Sequence, residues 1–221
     1  MKPASKAAFK AASKAPEKRP YTLGLRLTRS DERRTAILSA AIHRLESGPI
    51  SGFTLETVAA SAEVTRQTVY NLFGTRSGLL EALFDHIALE AGLARMPEVM
   101  QRSDPRAMLD GVLEIFTGFW SRHRTLLRRI HGMAALDPEF GKAVAARNER
   151  RRAASGRVVQ QFARSGNGAL PPHAAAALFA LTSFEFFDSA AEAAGSEQAA
   201  SELVRSLVHG ALSASPKSES V

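Results

Sequence analysis

Cysteine is absent from all 221 residues. That removes disulfides, thiolate-held zinc and thiol catalysis from consideration, and it fits a reducing compartment. Apolar runs long enough to span a bilayer are missing too. The N-terminus carries lysines but no uninterrupted apolar stretch, so a secretory leader is not expected and the reading favours a cytoplasmic protein. Signatures of catalysis are equally scarce. There is no HExxH, no Gly-x-Ser-x-Gly elbow, no phosphate loop and no GxGxxG, and Gly166-Asn167-Gly168 reads only as a helix breaker. His123 and His131 stand more than two helical turns apart, a poor spacing for a shared metal, and Asp137 and Glu139 read as helix-start acids. The sequence therefore predicts no enzyme, no cofactor and no metal.

What is present in excess is positive charge at one end. Lys2, Lys6, Lys10, Lys14, Lys18, Arg19, Arg26 and Arg29 face only Glu17 within residues 1–30, a surplus equal to the whole net charge of +7. The remainder is neutral. A basic arm of this kind is the electrostatic footprint of a polyanion such as nucleic acid, although a solubilising tail has the same composition. Pro3, Pro16 and Pro20 with few large apolar side chains make residues 1–28 a predicted disordered arm.

Helical periodicity begins beyond it. Thr28 or Ser30 is a predicted N-cap, followed by Asp31 and Glu32, where the helix dipole favours acids. Ile37, Leu38, Ala41, Ile42 and Leu45 then recur at spacings of three and four. Ser47-Gly48-Pro49 ends this helix. A short helix capped by Thr54 follows, then a turn at Glu63-Val64, then a second short helix capped by Thr65 and running from Arg66 to about Leu72. After a break at Phe73-Gly74-Thr75 comes a longer amphipathic helix with Leu79, Leu80, Leu83, Phe84 and Ile87. Two short helices on a tight turn, braced by longer ones, form a helix-turn-helix plan. Downstream, helices are predicted from Asp104-Pro105 to about Arg122, over Leu126–Leu136, from Asp137-Pro138 to about Arg164, from Pro171-Pro172 to Ala194, and from Ser196 to near Leu212. No β-alternation or internal repeat interrupts them. The predicted fold is all-α.

The second short helix carries the chemistry. Val64 to Arg76 contains Arg66 and Arg76 and no acid. Arg66, Gln67 and Tyr70 share one side, with Val69 and Leu72 turned to the core. Arg donates two hydrogen bonds to guanine and Gln pairs with adenine in the major groove. Thr68 and Tyr70 offer hydroxyls to a phosphate or a thymine edge, and Arg76 is a predicted phosphate clamp. Taken singly, Arg66 and Gln67 are more often a solvated helix face; in register with the caps and the Phe-Gly break the arrangement is much harder to dismiss. A sequence-indifferent architectural binder driven by the arm is the competing reading, separable by salt and sequence dependence.

The stretch Thr54-Leu55-Glu56-Thr57-Val58-Ala59-Ala60-Ser61-Ala62-Glu63-Val64-Thr65-Arg66-Gln67-Thr68-Val69-Tyr70-Asn71-Leu72-Phe73-Gly74-Thr75-Arg76, continued by Gly78-Leu79-Leu80-Glu81-Ala82-Leu83-Phe84, resembles the N-terminal signature of the tetracycline-repressor (TetR) family over roughly residues 32–85. Glu63 stands where many members have glycine, which predicts an ordinary rather than left-handed backbone there. Arg76 replaces the usual lysine. The resemblance implies an N-terminal three-helix helix-turn-helix domain over 29–76 and a helical ligand-binding and dimerisation domain over 77–215, with a short disordered tail at 216–221. It implies DNA contacts from Thr54, Thr65, Arg66, Gln67, Thr68, Tyr70, Asn71 and Arg76. It also implies a homodimer formed by about Pro172–Ala194 and Ser196–Leu212, repression of a palindromic operator, and release by a small-molecule effector. Phe116, Phe119, Trp120, His123, Met133, Phe140, Phe184 and Phe187 are candidate pocket residues, although aromatics at helical spacing are more often core. Arg147, Arg150, Arg151 and Arg152 are read as a solvated face, with an anionic ligand as the alternative.

Overall fold

The computed structural model describes residues 21–164 and 170–213; residues 1–20 of the predicted 1–28 arm and the predicted tail lie outside them, whereas residues 21–28, expected to be disordered, are helical. Among the described residues every regular element is helical, and no strand occurs. The first helix, α1 (Tyr21–Ser47), starts ahead of both expected caps, so Thr28 and Ser30 lie within it. The local sequence accounts for this: Leu23, Leu25, Arg26 and Leu27 are good helix formers. Through Thr35 the chain belongs to one compact unit, and from Ala36 onward it forms another. That second unit contains everything described below.

Within it, Ile37, Leu38, Ala41 and Leu45 form the buried stripe of α1. They pack into one apolar cluster with the short helices α2 (Leu55–Ser61) and α3 (Arg66–Phe73) and with α4 (Arg76–Glu90). The cluster continues without a gap through α6 (Pro105–Arg122), α7 (Arg124–Leu136) and α8 (Pro138–Arg164) to the last helices, the four-residue α5 (Met96–Val99) lying on the way. Asp104 caps α6 by accepting from the Arg106 amide at 3.0 Å, with proline at the first helical position. Such continuity matters for function, because a change of packing in one half has no slack in which to dissipate.

One expected helix is two. The stretch predicted as continuous to Ala194 is split into α9 (Ala174–Leu181) and α10 (Phe184–Ala194), bent by 60°. Ser183 causes the break: its hydroxyl accepts from the Phe186 amide at 3.1 Å and starts a new helix, with Glu185 in the first turn. The carbonyls left over at the end of α9 find buried donors. Arg151 Nη1 donates to Phe179 O, and Trp120 Nε1 donates to Thr182 O at 3.1 Å. A helix end buried without such partners would be costly. The last helix, α11 (Glu197–Ser213), turns Ala200, Val204, Val208 and Leu212 inward, while Leu203 and Leu207 stay 40% and 41% exposed. No single helix among the described residues is long and apolar enough to cross a membrane.

Candidate nucleic-acid interface and ligand cavity

The helix-turn-helix is set by four threonines. Thr54 and Thr57 form a reciprocal capping box on α2, each side-chain oxygen accepting from the other's amide at 3.2 and 3.1 Å. Thr65 caps α3 by accepting from the Thr68 amide at 3.2 Å, and Thr75 caps α4 by accepting from the Gly78 amide at 3.0 Å. Each such cap is worth roughly 1 kcal/mol. Glycine is required at two points behind α3. Gly74 ends the helix with φ 70°, and a Cβ on Gly78 would stand 2.2 Å from the Phe73 carbonyl oxygen.

The turn between α2 and α3 differs from expectation. Glu63 has φ 52°, in the left-handed region, so the tight turn needs that conformation whichever residue occupies it. The left-handed conformation costs a non-glycine residue about 1–2 kcal/mol, and glycine returns part of that as unfolded-state entropy. Glu63→Gly is therefore expected to raise stability by about 0.5–1 kcal/mol in chemical denaturation. An unchanged or lower midpoint would mean that the turn is unstrained.

Val69 is fully buried and Phe73 nearly so, and they anchor α3; Leu72 is only partly covered. The opposite side carries Arg66, Gln67, Tyr70 and Asn71, all exposed, with Thr68 half-buried beside them. Gln67 Nε2 donates to Asn71 Oδ1 at 2.7 Å, which orients both amides, and the Thr65 and Thr68 hydroxyls are 2.9 Å apart. Arg66 is ion-paired with Glu56 of α2, both side chains being more than half exposed. The Glu56 carboxyl is held below its ordinary range by a backbone hydrogen bond first, then by Thr54 and Arg66.

Arg76 does not sit as a free phosphate clamp. Its Nε donates to Phe53 O at 3.0 Å and its Nη1 to Asp137 Oδ2 at 3.2 Å. The reason lies in Asp137, which caps α8 by accepting from the amides of Glu139 and Phe140, each at 3.1 Å, and also accepts from Ser77 Oγ at 3.1 Å. One carboxylate thus joins the start of α4 to the start of α8. Those amides, chiefly that of Phe140, with Ser77 and Arg76 behind them, hold its pKa below the usual value.

Between α4, α6 and α8 lies a cavity of about 290 Å³. Phe116, Phe119 and Trp120 of α6 and Phe84 of α4 give it an aromatic floor, and Leu93 and Met96 complete the apolar lining. The Phe116 and Trp120 rings stack with centroids 6.0 Å apart, and Phe119 lies 4.7 Å from Trp120. Of the other residues expected here, Met133, Phe140 and Phe187 do not line it and are fully packed in the core instead. Phe184 is also buried, its ring 5.7 Å from Trp120 and 4.8 Å from His131, beside a shallower opening with Arg128 and Glu185. His123 lies outside the cavity, 5.8 Å from the Phe119 ring; burial lowers its pKa, and its Nε2 has no hydrogen-bond partner among the described residues.

The arginines of α8 are the residues that sequence reasoning set aside. Arg147, Arg150, Arg151 and Arg157 all line the cavity, with Ala154 between them, whereas Arg152 is turned to solvent beside Glu149. Their spacing of three, four and seven marks one helix face, a signal present in the sequence. Arg147 is tied to α4 by Asp85, Nη2 to Oδ1 at 2.6 Å, and by the Glu81 carbonyl at 3.3 Å. Arg151 is 7% exposed and its pKa is pushed down to about 10 by burial.

Comparison with known proteins fits this geometry. Residues 37–83 match the family model described as bacterial regulatory proteins, tetR family. The HTH-type transcriptional regulator BetI of Burkholderia thailandensis is 30% identical over 135 residues, covering 51% of this chain and 69% of that protein. The chain belongs to the TetR family. BetI of Burkholderia ambifaria is 29% identical over 147 residues, with 56% of this chain and 75% of that protein covered. Among solved structures, a TetR regulator from Haloarcula marismortui superposes with a TM-score of 0.67 at 16% identity, over 82% of this chain and 97% of that one. NalD of Pseudomonas aeruginosa, the secondary repressor of the MexAB-OprM efflux pump, gives 0.63 at 24% identity, over 83% and 97%. A regulator from Saccharomonospora viridis in complex with choline gives 0.66 at 13% identity, over 82% and 98%. This TetR-family protein is accordingly a transcriptional regulator with a DNA-binding helix-turn-helix, and its relatives are regulators rather than enzymes.

Proposed function

We propose that this regulator is a homodimeric repressor that reads a palindromic operator with α3 and lets go when a small effector fills the cavity between α4, α6 and α8. The observation that carries the reading is the exposed face of α3, where Arg66, Gln67 and Tyr70 project from a helix locked from behind by Val69 and Phe73. Arg66 and Gln67 meet base edges; Tyr70, Thr68 and Asn71 meet backbone or base edge; the capped ends at Thr54 and Thr65 approach phosphates. Residues 29–76 are the DNA-reading part and 77–215 the sensing and dimerising part, a division of roles rather than of packing. Leu203 and Leu207 of α11 are the apolar residues that the second copy would cover. Selection from random duplexes at moderate salt tests the whole reading: one enriched palindrome is expected, with half-sites about one helical turn (~34 Å) apart or a multiple of it. A bound but unenriched pool would instead indicate an architectural binder.

The Glu56–Arg66 pair gives a second test. The pair is exposed and screened by solvent, so DNA can take Arg66 from Glu56 at little cost. Glu56→Gln removes both the competitor and a charge that repels phosphate. Operator affinity is expected to rise several-fold at low salt and to converge on wild type at high salt, read by fluorescence anisotropy. A fall in affinity would show that Glu56 positions Arg66 rather than restraining it.

A further inference from the structure

We propose that the effector is an amphipathic organic anion: an apolar body on the aromatic floor and a carboxylate received by Arg150 and Arg157. This deepens the cavity reading above and rests on it. The lining has four guanidinium groups against a single carboxylate, that of Asp85, already engaged by Arg147. Arg151 is occupied by Phe179 O and Thr182 Oγ1. Arg150 and Arg157, two turns apart on the same helix, have no acidic or hydrogen-bonding partner among the described residues, so a ligand carboxylate meets donors that need not be taken from elsewhere. A cation meets the reverse. Choline, bound by the Saccharomonospora viridis regulator, carries the charge that this lining repels. The volume of about 290 Å³ sits at the lower end for ligand sites, which limits the body to about one ring with a short chain.

Occupancy also touches the DNA-reading half. Phe84, Asp85 and Ala88 of the lining belong to α4, the helix that follows α3 directly, so a ligand in the cavity bears on that helix.

Three probes with one body separate the possibilities: 4-phenylbutyrate, 4-phenylbutanol and 4-phenylbutylamine. Trp120, the single tryptophan and part of the cavity floor, reports binding by its emission, and calorimetry gives Kd independently. The acid is expected to bind at least tenfold more tightly than the alcohol, with the amine weakest. Arg150→Gln and Arg157→Gln, both at exposed positions and leaving the fold intact, should each weaken the acid about tenfold and leave the alcohol unchanged. If the alcohol or amine binds as tightly as the acid, or if neither substitution changes the acid's Kd, the cavity stands but the charge class is overturned. If none of the three perturbs Trp120 or gives heat, the cavity reading itself fails along with it.

Discussion

Replacing Leu203 and Leu207 together with Glu is expected to leave a folded monomer that has lost operator binding. Both leucines lie four residues apart on α11 with about two-fifths of their surface exposed, so the substitution costs the isolated chain little packing. In the proposed dimer the same positions become buried, and glutamates there would bring like charges together in a desolvated seam. A palindrome is held by two recognition helices at once, and losing the second one removes the gain from linked binding, about 10²–10⁴ in affinity. Sedimentation should show the halved mass while helicity by circular dichroism stays at wild type. A variant that remains dimeric would move the interface away from α11.

The second large effect is at Asp137. Its carboxylate accepts two α8 amides, the Ser77 hydroxyl and the Arg76 guanidinium. Asp137→Ala removes a cap and a charge-assisted tie together, and is expected to cost about 2–4 kcal/mol in denaturant unfolding. Because the folded pKa lies below the ordinary 3.8, this stability is present above that pH and is lost as pH falls through the folded value. The gap between wild type and Asp137→Ala should therefore narrow on acidification from neutral pH to below 3. A gap that stays constant would mean that the carboxylate's charge is not what stabilises the junction. The same variant loosens the start of α4 from α8, so ligand in the cavity should lower operator affinity less than in wild type.

The two halves of this protein were unequally legible in its sequence. The DNA-reading half uses local rules. Thr54, Thr65 and Thr75 cap helices through residues three positions away, and Val69 and Phe73 bury one side of α3, all within a window that sequence alone displays. The tie of Arg76 to Asp137 was not legible because the two stand sixty-one positions apart. Glu63 was misjudged because glycine was taken as the condition for a left-handed turn, whereas the hydrogen bonds from Glu63 N and Val64 N back to α2 fix that turn regardless. The cavity depends on which faces α4, α6 and α8 turn to one another. Phe116 and Phe140 are equally apolar in sequence; one lines a void and the other fills the core. The arginines of α8 looked like a solvated face because their aromatic counterparts belong to other helices. The break at Ser183 did leave a trace, a capping serine followed two residues on by Glu185, inside a run whose apolar character suggested one helix.

The central claim, that the exposed face of α3 reads bases, is tested most directly by an affinity matrix. The selected palindrome and each of its symmetric base-pair substitutions would be titrated against wild type and Arg66→Ala. The account predicts that Arg66→Ala loses about 1–3 kcal/mol of discrimination at one base-pair position in each half-site while preferences elsewhere persist. A matrix that keeps its shape in Arg66→Ala, merely shifted to weaker binding at every position, would contradict it and reassign Arg66 to the phosphate backbone.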